Sequence, residues 1–275
     1  MKRYVDLMRY RVSLAVTAGS LFGALFYGGP NVIDGVATAI GAGLLCAGSS
    51  ALNQIQERAY DARMDRTRHR PVASGALSVD HALLVSLVLM ISGLVLFSLT
   101  GGWPLLLLGL AVPVIYNGMY TPLKPITPMA LLVGGVSGAL PPLTGWMGAG
   151  GSMTAPAIVG VTVVFYLWQV PHFWLLQEKH REDYERAGFA TLGKRLPKAF
   201  YKPLLALWVA AYFLALGYLA VMNVMASVHW LMPPGLLFMG GWTLFSVARE
   251  HNRRAAMTIY ASLPLTLAAV LANTL

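Results

Sequence analysis

The chain has 275 residues, of which 57% are hydrophobic and only 11% are charged. Soluble domains carry about 25% charged residues, so this composition argues against an ordinary soluble protein and predicts a membrane protein. The formal net charge of +9 would suit nucleic-acid binding, but no basic helix stands apart from the apolar segments, and we expect no nucleic-acid partner.

Nine apolar segments are close to the length of about 20 residues that a membrane-spanning helix needs. Basic residues precede the first segment and no clear small-residue cleavage site follows it, so we expect a retained helix, not a signal peptide. Pro113 and the pair Pro141–Pro142 should bend or end their helices. The sequence thus predicts an all-α polytopic membrane protein with a single domain over 1–275. The predicted spans are 12–29, 35–54, 81–100, 102–118, 127–147, 155–176, 203–222, 230–248 and 257–274.

The charges lie almost entirely on one side of this arrangement. All 20 Lys and Arg residues lie before the first span or in every second loop after it, whereas loops such as 28–34 and 148–155 carry none. All acids except Asp34 follow the same bias. The positive-inside rule places the N-terminus in the cytoplasm and the C-terminus outside. We expect the charged loops after spans two, four and six to converge.

Four polar residues recur every fourth position at the end of the second span: Asn53, Glu57, Asp61 and Asp65. On a continuous helix they would form one slowly winding stripe. Their oxygen atoms suit Mg²⁺, which commonly bridges to phosphate. A salt-bridged helix end would also carry this pattern. Three arginines lie within or just after this stretch, and their forked guanidinium groups suit phosphate: Arg58, Arg66 and Arg70.

A second polar group surrounds the end of the sixth span. If that helix continues, His172, Lys179 and Asp183 share one face, because seven and eleven residues are near whole turns. A histidine inside a span is a candidate for function. A histidine hydrogen-bonded between helices is the alternative.

Lys124 is the sole cation of its loop and follows a stretch that contains Tyr116 and Tyr120. It is placed either to reach a phosphate or simply to set the topology. The sequence leaves both interpretations open.

Several blocks in order resemble a known family. The pattern Asn53–x3–Glu57-Arg58–x2–Asp61–x2–Met64–x–Arg66-Thr67 resembles the first aspartate-rich motif of the UbiA superfamily of intramembrane prenyltransferases. Further blocks resemble the branch of that superfamily whose members transfer a farnesyl group to heme b. They are Arg66-Thr67…Arg70-Pro71, Tyr116…Tyr120-Thr121…Lys124, Gly138…Pro141-Pro142…Gly145, Trp168-Gln169…Pro171-His172-Phe173 and Glu182-Asp183-Tyr184…Ala187-Gly188.

The resemblance implies nine transmembrane helices around a central cavity in a bacterial inner membrane. It implies a Mg²⁺-dependent enzyme that joins farnesyl, from farnesyl diphosphate, to a vinyl group of heme b with addition of a hydroxyl, giving heme O for terminal oxidase biogenesis. Heme A synthase and the assembly of a terminal oxidase are the candidate partners. The implied metal ligands are Asn53, Glu57, Asp61 and Asp183, and these with Lys124 form the implied catalytic set. The implied substrate-binding residues are Arg58, Arg66, Arg70, Tyr116, Tyr120, Gln169 and His172.

The sequence departs from the superfamily pattern at three of these positions. Glu57 stands where Asp is usual, and His172 and Lys179 stand where acids are common. The histidine favours heme over a phenolic acid as acceptor, whereas the missing acids count against a complete second metal site. The alternative is a related enzyme acting on a quinone precursor or another tetrapyrrole.

Two hypotheses of other classes are less well supported. A transporter should carry ionisable groups near the middle of the bilayer, but here the acids lie at the ends of spans two and six. A heme chaperone would need no site for a metal and a diphosphate.

Overall fold

Helices form all of the regular secondary structure in the computed structural model, which describes residues 1–221 and 232–272. The last residue of predicted span seven, the first two of span eight and the last two of span nine lie outside the described residues. The helices are α1 (Lys2–Leu7), α2 (Tyr10–Tyr27), α3 (Val32–Gln56), α4 (Arg58–Asp61), α5 (Val79–Pro113), a π-helix (Val114–Tyr120), α6 (Thr121–Leu123), α7 (Ala130–Ala139), α8 (Pro141–Gly148), α9 (Pro156–Lys179), α10 (Arg181–Ala187), α11 (Leu192–Arg195), α12 (Lys198–Val221), α13 (Met232–Ala248) and α14 (Asn252–Leu271).

Helical structure covers most of every predicted span. Within the described residues, six helices are long and apolar enough to cross a membrane, and the apolar helix Pro234–Ala248 is shorter. The first predicted span coincides with α2, which has 18 residues. The prediction of a polytopic helical protein is therefore confirmed, while the number of nine crossings stays a prediction.

The long helix α5 contains a break at the expected boundary between two spans. Its 35 residues would extend about 52 Å as one straight helix, much more than the hydrocarbon core of about 30 Å. Gly102 has φ 61 and ψ −150, which is not helical and is a conformation that glycine adopts most readily. Two helical segments therefore meet at Gly102, at the boundary between the predicted spans 81–100 and 102–118.

Proline breaks the helical structure at both predicted places. The α-helical hydrogen bonding of α5 ends at Pro113 and a π-helix follows it. Helix α7 ends at Ala139, and Pro141 begins α8. Proline lacks the amide hydrogen that a continuous helix needs and is well suited to its first turn.

Small residues allow the helices of the N-terminal half to pack backbone against backbone. A Cβ added at Gly23 of α2 would collide with the carbonyl oxygen of Pro142 in α8, and one at Gly145 would collide with the carbonyl oxygen of Ser20. Such close approach is typical of helix packing in membranes. It holds α2 directly against α8.

Two predicted helix continuations are wrong. Glu57 has φ −94 and ψ 6 and separates α3 from α4, so the stripe from Asn53 to Asp65 does not lie on one helix. His180 has φ −114 and ψ 29 and separates α9 from α10, so Asp183 is not on the helix of His172. Near the first break Glu57 pairs with Lys124 of another loop, and after the second Asp183 accepts amides of the loop 62–70.

Candidate functional site

Three loops that are distant in sequence meet at one end of the helices. The Nζ atom of Lys124 lies 2.6 Å from Oε1 of Glu57, and Nη1 of Arg186 lies 2.6 Å from Oδ2 of Asp65. The amide of Ala190 donates to the carbonyl oxygen of Lys124 at 3.3 Å. The predicted convergence of the loops after spans two, four and six is therefore confirmed. We call the following residues the charged cluster: Asn53, Glu57, Asp61, Arg66, Arg70, Lys124 and Asp183.

Asn53 is fixed at the last turn of α3 and has no exposed surface. Its Nδ2 atom donates to Oγ1 of Thr121 at 3.0 Å, and that hydroxyl donates to the carbonyl oxygen of Tyr116 at 2.9 Å. The Oδ1 atom of Asn53 is buried and has no hydrogen-bond partner. Since buried polar atoms are normally paired, this oxygen is a candidate ligand atom.

Two amide side chains that the sequence analysis gave no role fasten α3 to the π-helix. Nε2 of Gln56 donates to the carbonyl oxygen of Asn117 at 3.0 Å. Nδ2 of Asn117 donates to the carbonyl oxygen of Ser49 at 3.0 Å and to Oε1 of Gln56 at 3.1 Å. Their position in the sequence could have indicated this role, because amide side chains within an apolar segment need hydrogen-bond partners.

The two buried carboxylates of the cluster each have a cation. Glu57 is 4% exposed and pairs with Lys124, while both oxygens of Asp61, 2% exposed, lie 2.8 Å from Nη1 of Arg70. Burial opposes the charged form of Lys124, but the Glu57 carboxylate together with the neighbouring tyrosines Tyr120, Tyr116 and Tyr184 outweighs it, and the pKa of Lys124 is raised. The positive charge of Lys124 therefore persists at neutral pH.

Asp183 and Arg66 meet across two loops. The amides of Asp65 and Arg66 donate to Oδ1 and Oδ2 of Asp183 at 3.3 and 3.2 Å. The Nη2 atom of Arg66 donates to the hydroxyl of Tyr184 at 3.4 Å, whereas its Nε atom is buried without a partner. The guanidinium of Arg66 thus keeps unused hydrogen-bonding capacity.

The predicted tyrosines and Arg58 lie in different environments. The ring of Tyr120 lies under Lys124, with 4.8 Å between Nζ and the ring centroid. The hydroxyl of Tyr116 accepts a hydrogen bond from Arg9 at 3.5 Å. Arg58 is exposed and donates to the carbonyl oxygen of Ile55 in its own segment, so the structure does not bring it into the charged cluster.

Gln169 and His172 lie deeper, on α9. The Nε2 atom of Gln169 donates to the carbonyl oxygens of Gly135 and Phe165, both at 3.2 Å. The ring of His172 stacks on Trp168 at 4.4 Å and lies 4.7 Å from the ring of Tyr260. The Nδ1 atom of His172 is buried without a partner.

A cleft of about 50 Å³ opens beside Lys124. Ligand pockets usually measure about 300–1,000 Å³, so the cleft would admit only part of a large ligand. Both polar and apolar side chains line the cleft. The residues that line it include Tyr120, Lys124, Leu131, Phe173, Trp174, Gln177, Tyr184 and Phe189.

The oxygen atoms of the cluster suit a hard divalent cation. Among the described residues, no group of three or more His, Cys, Asp or Glu side chains is placed to hold a metal ion by itself. Mg²⁺ does not require such a cage, because it is usually held by one or two carboxylates together with phosphate oxygens. The unpartnered Oδ1 of Asn53, four residues before Glu57 in the chain, fits that mode.

The fold and the cluster define a multi-pass helical membrane protein with a polar site suited to a phosphorylated ligand. The UbiA prenyltransferase family model matches residues 14–269. A protoheme IX farnesyltransferase of Oleidesulfovibrio alaskensis is 46% identical over 81% of this chain and 78% of its own length. One of Geobacter sulfurreducens is 42% identical over 68% of each chain. The chain therefore belongs to the UbiA prenyltransferase family, in the group of the protoheme IX farnesyltransferases.

Solved structures confirm the UbiA-like fold. A structure of a digeranylgeranylglyceryl phosphate synthase has a TM-score of 0.79 at 16% identity, covering 99% of this chain and 98% of its own. A UbiA homologue from Archaeoglobus fulgidus bound to GPP and Mg²⁺ has a TM-score of 0.68 at 16% identity, covering 98% of this chain and 99% of its own.

Proposed function

We propose that this protein transfers the farnesyl group of farnesyl diphosphate to a vinyl group of heme b and forms heme O. The likeness to protoheme IX farnesyltransferases supports the substrates. Two observations carry the chemistry: the oxygen of Asn53 is buried without a partner, and the nearby residues in sequence, Glu57 and Asp61, are each paired with a cation.

The reaction balances with one water. The bond between C1 of farnesyl and the diphosphate oxygen breaks, and the electron pair leaves with diphosphate. The farnesyl carbocation adds to the terminal carbon of the vinyl group, and the positive charge moves to the carbon next to the porphyrin ring. Water adds there and loses a proton, so heme b, farnesyl diphosphate and water give heme O and diphosphate.

The residues of the charged cluster act on the leaving group. Preorganised positive charge stabilises an anion that develops in the transition state, and Lys124, Arg66 and Arg70 provide it. Lys124 and Arg70 are held by carboxylates before substrate arrives, so they are already in place.

Asn53, Glu57 and Asp61 would hold Mg²⁺ against the diphosphate. The bound ion neutralises negative charge on the leaving group. With Glu57 and Asp61 engaged in this way, Lys124 and Arg70 beside them would face the phosphate oxygens. The UbiA homologue bound to GPP and Mg²⁺ supports a metal-assisted reaction.

The acceptor would contact the aromatic and polar side chains deeper in the molecule. The unpartnered Nδ1 of His172 and the stacked ring of Trp168 suit the propionates, the iron or the face of a porphyrin. Tyr116, Tyr120 and Gln169 complete the proposed substrate contacts. An apolar surrounding limits early capture of the carbocation by water.

The membrane arrangement proposed for this enzyme has nine crossings around a central cavity, in the inner membrane of a bacterium. The N-terminus and the charged cluster face the cytoplasm and the C-terminus faces outward. Farnesyl diphosphate and heme b would reach the site from the cytoplasmic side, and heme O would pass to heme A synthase or to terminal oxidase assembly.

Acceptor competition tests the proposal. Purified protein receives farnesyl diphosphate, Mg²⁺ and equal amounts of heme b and a phenolic quinone precursor. We expect farnesylation of heme b alone, and loss of the reaction in Asp61→Ala. Prenylation of the phenol would favour the alternative enzyme. If the Asp61→Ala variant still restores heme O production when it is expressed in cells, the result would favour a heme chaperone.

A further inference from the structure

We propose that a second cavity, separate from the cleft beside Lys124, binds the phosphoethanolamine headgroup of a phospholipid. The cavity measures about 150 Å³ and is lined by residues from the ends of α9, α12 and α13 and from the loops beside them. A water molecule occupies about 30 Å³ in the liquid, so the cavity has room for a compact polar group and not for a whole lipid. In the part of the chain that the structure describes, its lining shares no residue with the charged cluster.

Charges of both signs surround this cavity. Its lining includes two cations, Arg181 and Lys202, and two carboxylates, Glu178 and Glu250. A bare phosphate would lie near both carboxylates and a simple amine near both cations, and such juxtaposition of like charges is costly. A headgroup that carries a phosphate and an ammonium finds a partner for each charge.

Arg181 keeps hydrogen-bond donors for the phosphate. Its Nε atom donates to Oε1 of Glu185 at 2.7 Å, whereas Nη1 lies 3.9 Å from Oε1 of Glu178, which is too far for a hydrogen bond. Gly193 leaves space beside this guanidinium, because a Cβ added there would lie 3.2 Å from Nη1. Guanidinium groups suit phosphate, so the terminal amino groups of Arg181 can bind the phosphate of the headgroup.

The hydroxyl of Tyr201 needs a partner that a ligand would provide. Tyr201 lines the cavity, and its buried hydroxyl oxygen has no hydrogen-bond partner among the described residues. Buried polar atoms are normally paired, and a phosphate oxygen would accept a hydrogen bond from this hydroxyl. The neighbouring Lys202 pairs with Glu250 at 2.6 Å, so a cation and an acid already lie side by side at the cavity.

The position of the cavity favours a lipid over a soluble phosphate ester. Leu205 of α12 and Val247 of α13 belong to its lining and are 1% and 3% exposed. Both lie near the ends of long apolar helices, at the level where the polar headgroups of a bilayer begin. The acyl chains of a lipid can therefore follow these helices while its headgroup occupies the cavity. Ethanolamine suits the two carboxylates better than choline, because an ammonium donates hydrogen bonds and choline has no N–H.

Native mass spectrometry of the purified protein tests the site. Phosphatidylethanolamine, phosphatidylcholine and phosphatidylglycerol are added separately to the protein in detergent. We expect phosphatidylethanolamine to bind about tenfold more tightly than either of the others, as one or two additional hydrogen bonds to charged groups would give.

Two variants and two matched controls locate this binding. We expect Arg181→Gln to weaken binding of phosphatidylethanolamine about tenfold and Tyr201→Phe about fivefold, because each removes donors to the phosphate. Arg195→Gln and Tyr218→Phe make the same changes at exposed positions outside the cavity. They should bind within about twofold of wild type.

The other outcomes would overturn the proposal. Phosphatidylcholine or phosphatidylglycerol binding as tightly as phosphatidylethanolamine would exclude recognition of ethanolamine, and a preference that survives in both variants would exclude this cavity. Displacement of the lipid by an equal concentration of free phosphoethanolamine would identify a soluble ligand instead. If Arg181→Gln does not fold, Tyr201→Phe decides, and its unchanged affinity would overturn the proposal. Farnesyl transfer enters none of these measurements, so failure of the proposed function would leave the result standing.

Discussion

Lys124 and Glu57 are 67 positions apart in sequence and meet with 2.6 Å between Nζ and Oε1. Their side chains are only 20% and 5% exposed. The pair joins the end of α3 to the loop after α6. It also keeps a positive charge beside the carboxylate proposed to bind the metal ion.

Removing one or both members of this pair separates its structural role from its chemical role. Lys124→Met should lower kcat/KM about 10²-fold, as expected for a lost charge at a leaving group. It should also cost about 3 kcal/mol of stability, because Glu57 is left buried and unpaired. The double variant Glu57→Gln with Lys124→Met should regain most of the stability and none of the activity. Activity recovering together with stability would show that the pair is only structural.

Two variants separate the role of the side-chain oxygen of Asn53 from that of its side-chain nitrogen. Asn53→Ala removes the free Oδ1 and should raise the Mg²⁺ concentration for half-maximal activity at least tenfold. Thr121→Val removes the partner of Nδ2 and should cost about 1 kcal/mol of stability with little change in the Mg²⁺ requirement. Both are measured by metal titration of the activity and by thermal unfolding. Equal Mg²⁺ requirements in the two variants would contradict a ligand role for Oδ1.

The pH dependence of activity should not include Lys124 in the physiological range. Burial lowers its pKa, but the Glu57 carboxylate and the neighbouring tyrosines together outweigh burial, and the pKa is raised above the ordinary value. A raised pKa means that the stabilising charge is fully present below the ordinary lysine pKa of about 10.4. It is lost only as the pH rises through the still higher folded value. We expect kcat/KM profiles of wild type and Lys124→Arg to run parallel from pH 6 to about 9.5, and an alkaline fall confined to wild type would contradict this.

The close contact of α2 with α8 predicts a large cost for one added methyl group. In Gly23→Ala the new Cβ collides with the carbonyl oxygen of Pro142, and since backbone cannot move aside easily we expect a loss of about 3 kcal/mol. Gly217→Ala is the matched control, because nothing lies within 4 Å of the added atom. Its Tm should be unchanged or slightly higher, since alanine favours a helix. Similar Tm values for the two variants would contradict the packing of α2 on α8.

The sequence predicted the local features of this fold better than the long-range ones. The boundary at Gly102 and the break at Pro141 follow from local backbone chemistry, and both were predicted. The breaks at Glu57 and His180 were not, because the spacing of the polar residues fits a continuous helix and does not reveal long-range pairs such as Glu57 with Lys124. The same limit applies to Asp183, whose carboxylate could not be assigned to the amides of the 62–70 loop from spacing alone.

The mass of the heme pigment tests the central claim most directly. The protein is expressed in cells that make no heme O of their own. Hemes are extracted from the membranes of these cells and their masses are measured by mass spectrometry. We expect a pigment heavier than heme b by one farnesyl group and one hydroxyl group, which is absent when Asp61→Ala is expressed at the same level. Heme b alone in the wild-type extract, under conditions in which a protoheme IX farnesyltransferase relative produces heme O, would contradict it.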